Sequence, residues 1–261
     1  MSIATIQTER FGANPFVVEG PIVAGSGILG PQFALGTLCW GPSEAEWVYC
    51  KLTLGSTTTL QPGQWFQWDK DYNATLLTTA AGVVGYGAGV FSGAMQAPTI
   101  SGGPVGTVTL AAGVYYIWVQ RAGQAPALMS TVTAALVIAE TTTTAGQANA
   151  PASATVGTKQ ITPVSFQAAN FTFTATTVNG SNVLTLLGGA SNLSGPFLGA
   201  SVSGTGIPGS TTITGITYTP AGTVQSVTLN NNATANGTGI TITATGVVEA
   251  RLMWPYIAKT N

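Results

Sequence analysis

The side chains that could do chemistry in this chain are few, and they are carboxylates. Glu44 and Glu46 stand two apart, as do Asp69 and Asp71, with Asn73 two further on. Alternate residues of a strand share a face, so each pair would bring two carboxylates together. Such pairs can divide acid and base roles in glycoside hydrolysis. Trp40, Trp47, Trp65 and Trp68 lie near enough in sequence to stack on a sugar. Asp69, Asp71 and Asn73 also match the first three ligand positions of a helix–loop–helix calcium site. That loop needs Gly at its sixth position and Glu at its twelfth, where this chain has Ala74 and Ala80. The favoured reading is a solvated turn in which Lys70 offsets the charge, with the tryptophans filling a β core. A looser Ca²⁺ site and a sugar hydrolase are the alternatives.

Other catalytic arrangements fail on residue type. The 261 residues include no His, which removes the Ser-His-Asp and Cys-His relays and the commonest metal ligand. Gly25-Ser-Gly27-Ile-Leu-Gly30 and Gly204-Thr-Gly206-Ile-Pro-Gly209 match the dinucleotide fingerprint in letters only. Neither sits in a strand–turn–helix unit, and both read as turns. Cys39 and Cys50 have no redox or metal spacing; buried free thiols are expected, a 39–50 bridge being the alternative. Seven Lys plus Arg against eight Asp plus Glu give a net charge of −1, too little for the phosphate contacts that hold nucleic acid. Asn-x-Thr/Ser triplets at Asn73, Asn170, Asn192 and Asn232 follow from composition. Residues 1–10 lack a signal peptide's cationic start and apolar stretch, which predicts folding in a cytoplasm. Leu76 to Met95 carries no charge, but its five glycines leave too little bulk for a membrane span.

The elements that must position these groups are β throughout. Phe171-Thr172-Phe173-Thr174 and Ile240-Thr241-Ile242-Thr243 alternate apolar and Thr, the period of a half-buried strand. Val105 to Leu110 and Val224 to Leu229 repeat it. Asn179-Gly180 and Asn236-Gly237 predict type I′ hairpin turns. Ala134 to Glu140 is the best short helical candidate. Residues 141–154, poor in bulky side chains, read as a linker or a long surface loop. From Gln160 to Val248 there is no Asp, Glu, Lys, Arg or Trp; charge and Trp return together at Glu249-Ala-Arg-Leu-Met-Trp-Pro-Tyr. That return reads as the chain re-entering an earlier domain, with Leu252, Trp254 and Tyr256 joining its core. The expected organisation is an N-terminal β-barrel or sandwich of residues 1–167 plus 247–261, carrying a small inserted Ig-like β-sandwich module of residues 168–246. Two domains in series are the alternative.

Two groups of segments resemble proteins of tailed bacteriophages. Gly63-Gln-Trp-Phe-Gln-Trp-Asp-Lys-Asp-Tyr-Asn-Ala, followed by Gly113-Val-Tyr-Tyr-Ile-Trp-Val-Gln-Arg-Ala-Gly-Gln-Ala-Pro-Ala, looks like a small β-barrel of head proteins that lie beside the major capsid protein. Gly180-Ser-Asn-Val-Leu, Val202-Ser-Gly-Thr-Gly-Ile-Pro-Gly-Ser-Thr-Thr-Ile and Val227-Thr-Leu-Asn-Asn-Asn-Ala-Thr-Ala-Asn-Gly-Thr resemble a module that recurs in phage structural proteins. The resemblance implies a capsid decoration, or cement, protein. It would be a structural component bound outside an icosahedral head, made in the host bacterial cytoplasm and located on the capsid surface. Its partners would be the major capsid protein and further copies of itself, a homotrimer favoured, with no nucleic acid and no membrane. No activity, cofactor or metal is implied, and no catalytic, cofactor-binding or metal residue is assigned. A tail fibre or receptor-binding component, using residues 168–246 against host glycans, is the alternative. An N-terminal arm including Phe11, Pro15 and Phe16 is expected to order on a neighbouring subunit.

Overall fold

The computed structural model describes residues 13–21, 31–41, 44–95, 105–132, 139–151, 153–166, 171–190, 198–219 and 223–261. These are all-β, with no helix among them, and therefore none long and apolar enough to cross a membrane. The first strands are β1 (Leu38–Trp40), β2 (Glu46–Leu54), β3 (Thr58–Leu60), β4 (Trp65–Trp68), β5 (Asn73–Leu76) and β6 (Gly87–Phe91). Then come β7 (Ala94–Met95), β8 (Val105–Gly106), β9 (Val108–Leu110), the long β10 (Gly113–Val132), β11 (Ala139–Thr141), β12 (Ala148–Ala150) and β13 (Lys159–Phe166). The chain continues through β14 (Phe171–Thr177), β15 (Val183–Ala190), β16 (Ser201–Ser203), β17 (Thr211–Tyr218), β18 (Val224–Leu229) and β19 (Gly237–Thr245). It returns along β20 (Val247–Thr260).

Strand β10 organises the larger sheet, whose ten strands run β1-β2-β10-β12-β11-β13-β20-β6-β4-β5. Additional pairings close that sheet on itself twice. The N-terminal half of β10 pairs β2 and β6, and the circuit closes through β4, β5 and the parallel β5–β2 pair. Its C-terminal half pairs β20 and, in parallel, β12, and a second circuit closes through β11 and β13. Side-chain alternation assigns each face of β10 to a different core. Tyr115, Ile117 and Val119 join Val48, Cys50, Phe66 and Phe91. Ala125, Ala127 and Met129 join Trp65, Ile161, Phe166 and Leu252. A bulge between Gln120 and Ala122 marks the change.

Pro126 lies inside β10, opposite Glu249 of β20. Proline has no N–H to give a ladder, and the fold accommodates this. Main-chain groups two residues to either side turn away from β20: Leu128 N–H donates to Gly63 O at 2.8 Å, and Gln124 O accepts from Gln120 Nε2 at 2.9 Å. The nitrogen of Pro126 therefore faces the stretch between β2 and β12, where no strand pairs.

Strands β14 to β19 form a separate closed barrel, ordered β14-β15-β18-β17-β16-β19 and antiparallel at every pair. They span Phe171 to Thr245, within the stretch that lacks charge. An Ig-like pair of facing sheets was expected; one continuous sheet is found instead, because short β16 bridges β17 and β19 and leaves no edge to separate two layers. Phe173, Leu184, Val227, Leu229 and Ile242 fill it, and Leu128 of β10 and Val247 of β20 cap that core from the larger sheet. β13 and β20, which flank the barrel in the chain, pair with each other.

Three local expectations change. Asn179-Gly180 turns, but Gly180 alone has positive φ (79°) and five residues separate the strands, so the turn is not type I′. Gly237 instead opens β19 opposite Thr177, and Asn236 Oδ1 accepts the Asn179 N–H at 2.8 Å. Residues 141–154 are not one linker or long loop: exposed turn residues 143–145 separate Thr141 of β11 from β12, and Thr141, Ala148 and Ala150 are buried, the two alanines at the second core, where small size allows β12 to pack closely. Of the helical candidate, Ala139 and Glu140 are strand, and residues 134–138 lie outside the described residues.

Gly89 sits where β6 crosses β10; a Cβ there would collide with the carbonyl oxygen of Gln120 and lie 2.9 Å from Val119 Cγ1. Backbone cannot yield as a side chain does, so Gly89→Ala should destabilise the fold by about 3 kcal/mol in urea unfolding.

Candidate contact surface

The structure separates the carboxylate pairs. Glu44 adopts a left-handed conformation (φ 62°) before β2, is exposed, and accepts a hydrogen bond from Arg251 Nη2 at 2.7 Å. Glu46 is buried at the start of β2, paired with Arg121, and accepts a hydrogen bond from Trp40 Nε1 at 3.2 Å. They do not share a strand face, because Glu44 is not in a strand. Asp69 and Asp71 part in the same way. Asp69 Oδ1 accepts the N–H groups of Asp71 and Asn73, both at 2.9 Å, and Oδ2 accepts Asn73 Nδ2 at 2.9 Å. Asp71 turns out to Lys70, 2.7 Å away. This is an Asx turn; among the described residues no group of three or more His, Cys, Asp or Glu could hold a metal. Gly204 to Gly209 is the turn region between β16 and β17, with Gly206 at φ 76°. The segment Gly25 to Gly30 lies outside the described residues.

Glu19 is half-buried and Glu249 buried. Glu19 Oε2 accepts Tyr49 Oη at 2.5 Å and the Gln32 N–H at 3.0 Å. Burial, and then that carboxylate, push the Tyr49 phenol far up. Glu249 lies on β20 beside the barrel, and burial raises its carboxyl above the usual range. Cys39 and Cys50 are free and buried on opposite faces of the sheet, Cys39 in an aromatic layer with Trp47, Tyr49 and Trp118 and Cys50 in the first core. Phe16, expected in an arm reaching a neighbour, meets the Trp47 ring at 6.3 Å within the chain; Phe11 is outside the described residues.

The outward face of β20 is where the sequence reading fails most informatively. Strict alternation would send Leu252, Trp254 and Tyr256 into one core. Leu252 is buried, but Trp254 is 57% and Tyr256 45% exposed. The cause is a bulge. Thr162 and Val164 of β13 pair with Tyr256 and Leu252, so Met253, Trp254 and Pro255 together face the single Pro163. Prolines on both strands leave ladder donors missing there, and Trp254 takes φ 56°, a left-handed conformation that is an outlier for a bulky residue. The phase shift turns Pro255 and Ile257 inward and leaves Met253, Trp254 and Tyr256 outward. β20 is an interior strand, with β13 on one side and β10 and β6 on the other.

Register places Trp40 in one row with Met253, the two residues between them, Glu46 and Ala122, being buried. Trp40 of β1 opposes Glu46 of β2, which opposes Ala122 of β10, which opposes Met253 of β20. Trp40 is 56% exposed. The Arg121–Glu46 and Arg251–Glu44 pairs lie among these residues. Trp, Tyr and Arg are the types enriched at the energetic centres of protein interfaces. No family model, curated protein or solved structure matches the chain.

Two measurements check these assignments. The hydrogen bonds from Asn73 and Asp71 outweigh burial and hold Asp69 below its ordinary pKa. Its stabilising contribution is therefore complete above the ordinary carboxylate range and is lost as pH falls through the lowered value; Asp69→Asn should flatten the acid limb of a stability–pH curve. Burial raises both thiol pKa values, so an aromatic disulfide reagent at pH 8 should label neither cysteine in the folded protein and both in urea.

Proposed function

We propose that this chain is a structural protein of a phage virion that binds the outside of an icosahedral head and stabilises it. The sequence resemblance supplies the setting, and the face carrying Trp40, Met253, Trp254 and Tyr256 is the observation that carries the contact role. A backbone outlier that projects a tryptophan from an interior strand calls for a function. The strand that bears it is paired on either side of the bulge, at Leu252 and Tyr256, so the backbone that carries Trp254 is anchored at both ends before it docks. The partner is the major capsid protein, contacted by several copies of this chain, a closed trimer being the symmetry that suits a site between capsomers. A ligand that binds the assembled shell and not its dissociated parts stabilises the shell by about 2.7 kcal/mol per site at a hundredfold excess over Kd.

The second reading, a fibre or receptor-binding component, draws on one feature of the barrel. A shallow groove of about 410 Å³ opens over β14 and β15, lined by Phe171, Phe173, Leu187, Thr172, Thr174 and Thr241. It presents the half-buried Phe171 ring and threonine hydroxyls without a charged group, the chemistry that suits a neutral sugar.

Co-sedimentation with emptied heads tests the leading reading. The wild-type chain should pellet saturably at many copies per particle. Trp254→Ala should weaken binding by about 2 kcal/mol, at least tenfold, with an unchanged unfolding midpoint. Absence of head binding, together with saturable adsorption to host cells that Thr174→Tyr blocks, would replace it with the second.

A further inference from the structure

Glu140, on β11, is fully buried. Its Oε1 accepts the Thr155 N–H at 2.9 Å and Asn261 Nδ2 at 2.8 Å. Its Oε2 is buried with no donor beside it, and the same holds for Oδ1 of Asn149 on β12. These two residues are register partners across the β11–β12 ladder, so their side chains leave one face with Cβ atoms about 5 Å apart. Gln160 is the partner of Glu140 on its other side, across β11–β13. Three oxygen-bearing side chains thus form one row across three adjacent strands.

Burying an ionised carboxylate is costly without an opposite charge, and no ion pair of the described residues supplies one to Glu140. Lys159, nearby on β13, donates its ammonium to the carbonyls of Thr79 and Gly82. Lys259, opposite Gln160, is exposed. The ion pairs of the described residues join Lys70 to Asp71, Arg121 to Glu46 and Arg251 to Glu44, none of them to Glu140. Turned over, the Asn149 amide could give Glu140 one N–H but no charge; a positive centre between the two oxygens satisfies both and compensates the carboxylate.

We propose that Glu140 and Asn149 form the core of a binding site for a hard, oxygen-seeking cation, with Gln160 as a further oxygen and water completing the coordination shell. The site is covered by the Thr155–Thr158 turn and by Asn261, whose N–H donates to Thr158 O at 2.8 Å and whose carbonyl accepts the Gly157 N–H at 2.9 Å. The ion would therefore tie β11 and β12 to the end of β20 and brace the second closed circuit. It is distinct from the Asp69 turn, whose carboxylate is already occupied.

Thermal unfolding of the full chain, stripped with a chelator and exchanged into choline chloride, tests the site when CaCl₂ or NaCl is added at constant ionic strength. One salt should raise the Tm by several degrees with a saturable midpoint, and the two arms separate a divalent from a monovalent occupant. Glu140→Gln should abolish the response, Asn149→Leu should move the midpoint at least tenfold higher, and Asp71→Asn should leave it unchanged. Asn149 is only half-buried, so its variant carries the test even if Glu140→Gln does not fold. A flat Tm in both salts would overturn the proposal, as would a response that survives Asn149→Leu or disappears in Asp71→Asn.

Discussion

The structure depends on one long strand having two working faces. β10 supplies Ile117 and Val119 to the first core, Ala127 and Met129 to the second, Trp118 to the outer aromatic layer and Leu128 to the barrel. Closed circuits on both sides of a shared strand remove most free edges, which are the usual liability of β proteins. They also couple the cores: a shift of β10 by one residue would exchange the faces and empty both interiors at once. The bulge at Gln120–Ala122 and the placement of Pro126 on an unpaired stretch hold that register.

The scarcity of charge follows the same logic. With 6% charged residues, the outer surface of the barrel is wetted by Thr on alternate positions, Thr172, Thr174 and Thr241 among them, while Phe173 and Ile242 point in. Threonine suits this position because it is β-branched and polar. Three of the acidic residues hold local structure. Glu19 orients Tyr49 in the aromatic layer, Asp69 closes a turn, and Glu46 anchors the bulged Arg121 and the exposed Trp40. Fixing those side chains is what keeps the Trp40 and Met253 row in place.

Much of this was legible beforehand. Strand type was readable in Phe171 to Thr174 and Ile240 to Thr243 because apolar–Thr alternation is a local signal. The core position of Trp47, Trp65 and Trp68 followed from residue type, and so did the burial of the cysteines, but Trp40, expected in the same core, is exposed. The pairing of Glu44 with Glu46, and of Asp69 with Asp71, was misread because it assumed strand backbone at each residue. One left-handed residue before β2 and one Asx turn separate them. Residues 141–154 misled for the opposite reason: alanine is weak evidence for a core until the close approach of another strand shows why nothing larger fits.

The amino-acid order alone determined that this chain is β, that it lacks imidazole and carries a net charge of only −1, and that residues 168–246 differ in character from what surrounds them. Those properties belong to side chains and to neighbours two residues apart. Only the tertiary structure decided which residues of β20 face out and that the fully buried Glu140 has no ion-pair partner among the described residues. The outward turn of Trp254 arises where two prolines meet across β13 and β20, and the isolation of Glu140 arises from what three strands and a turn place around it. Contacts between segments far apart in the chain leave no periodic trace within either segment, so neither outcome could be read until the strands were paired.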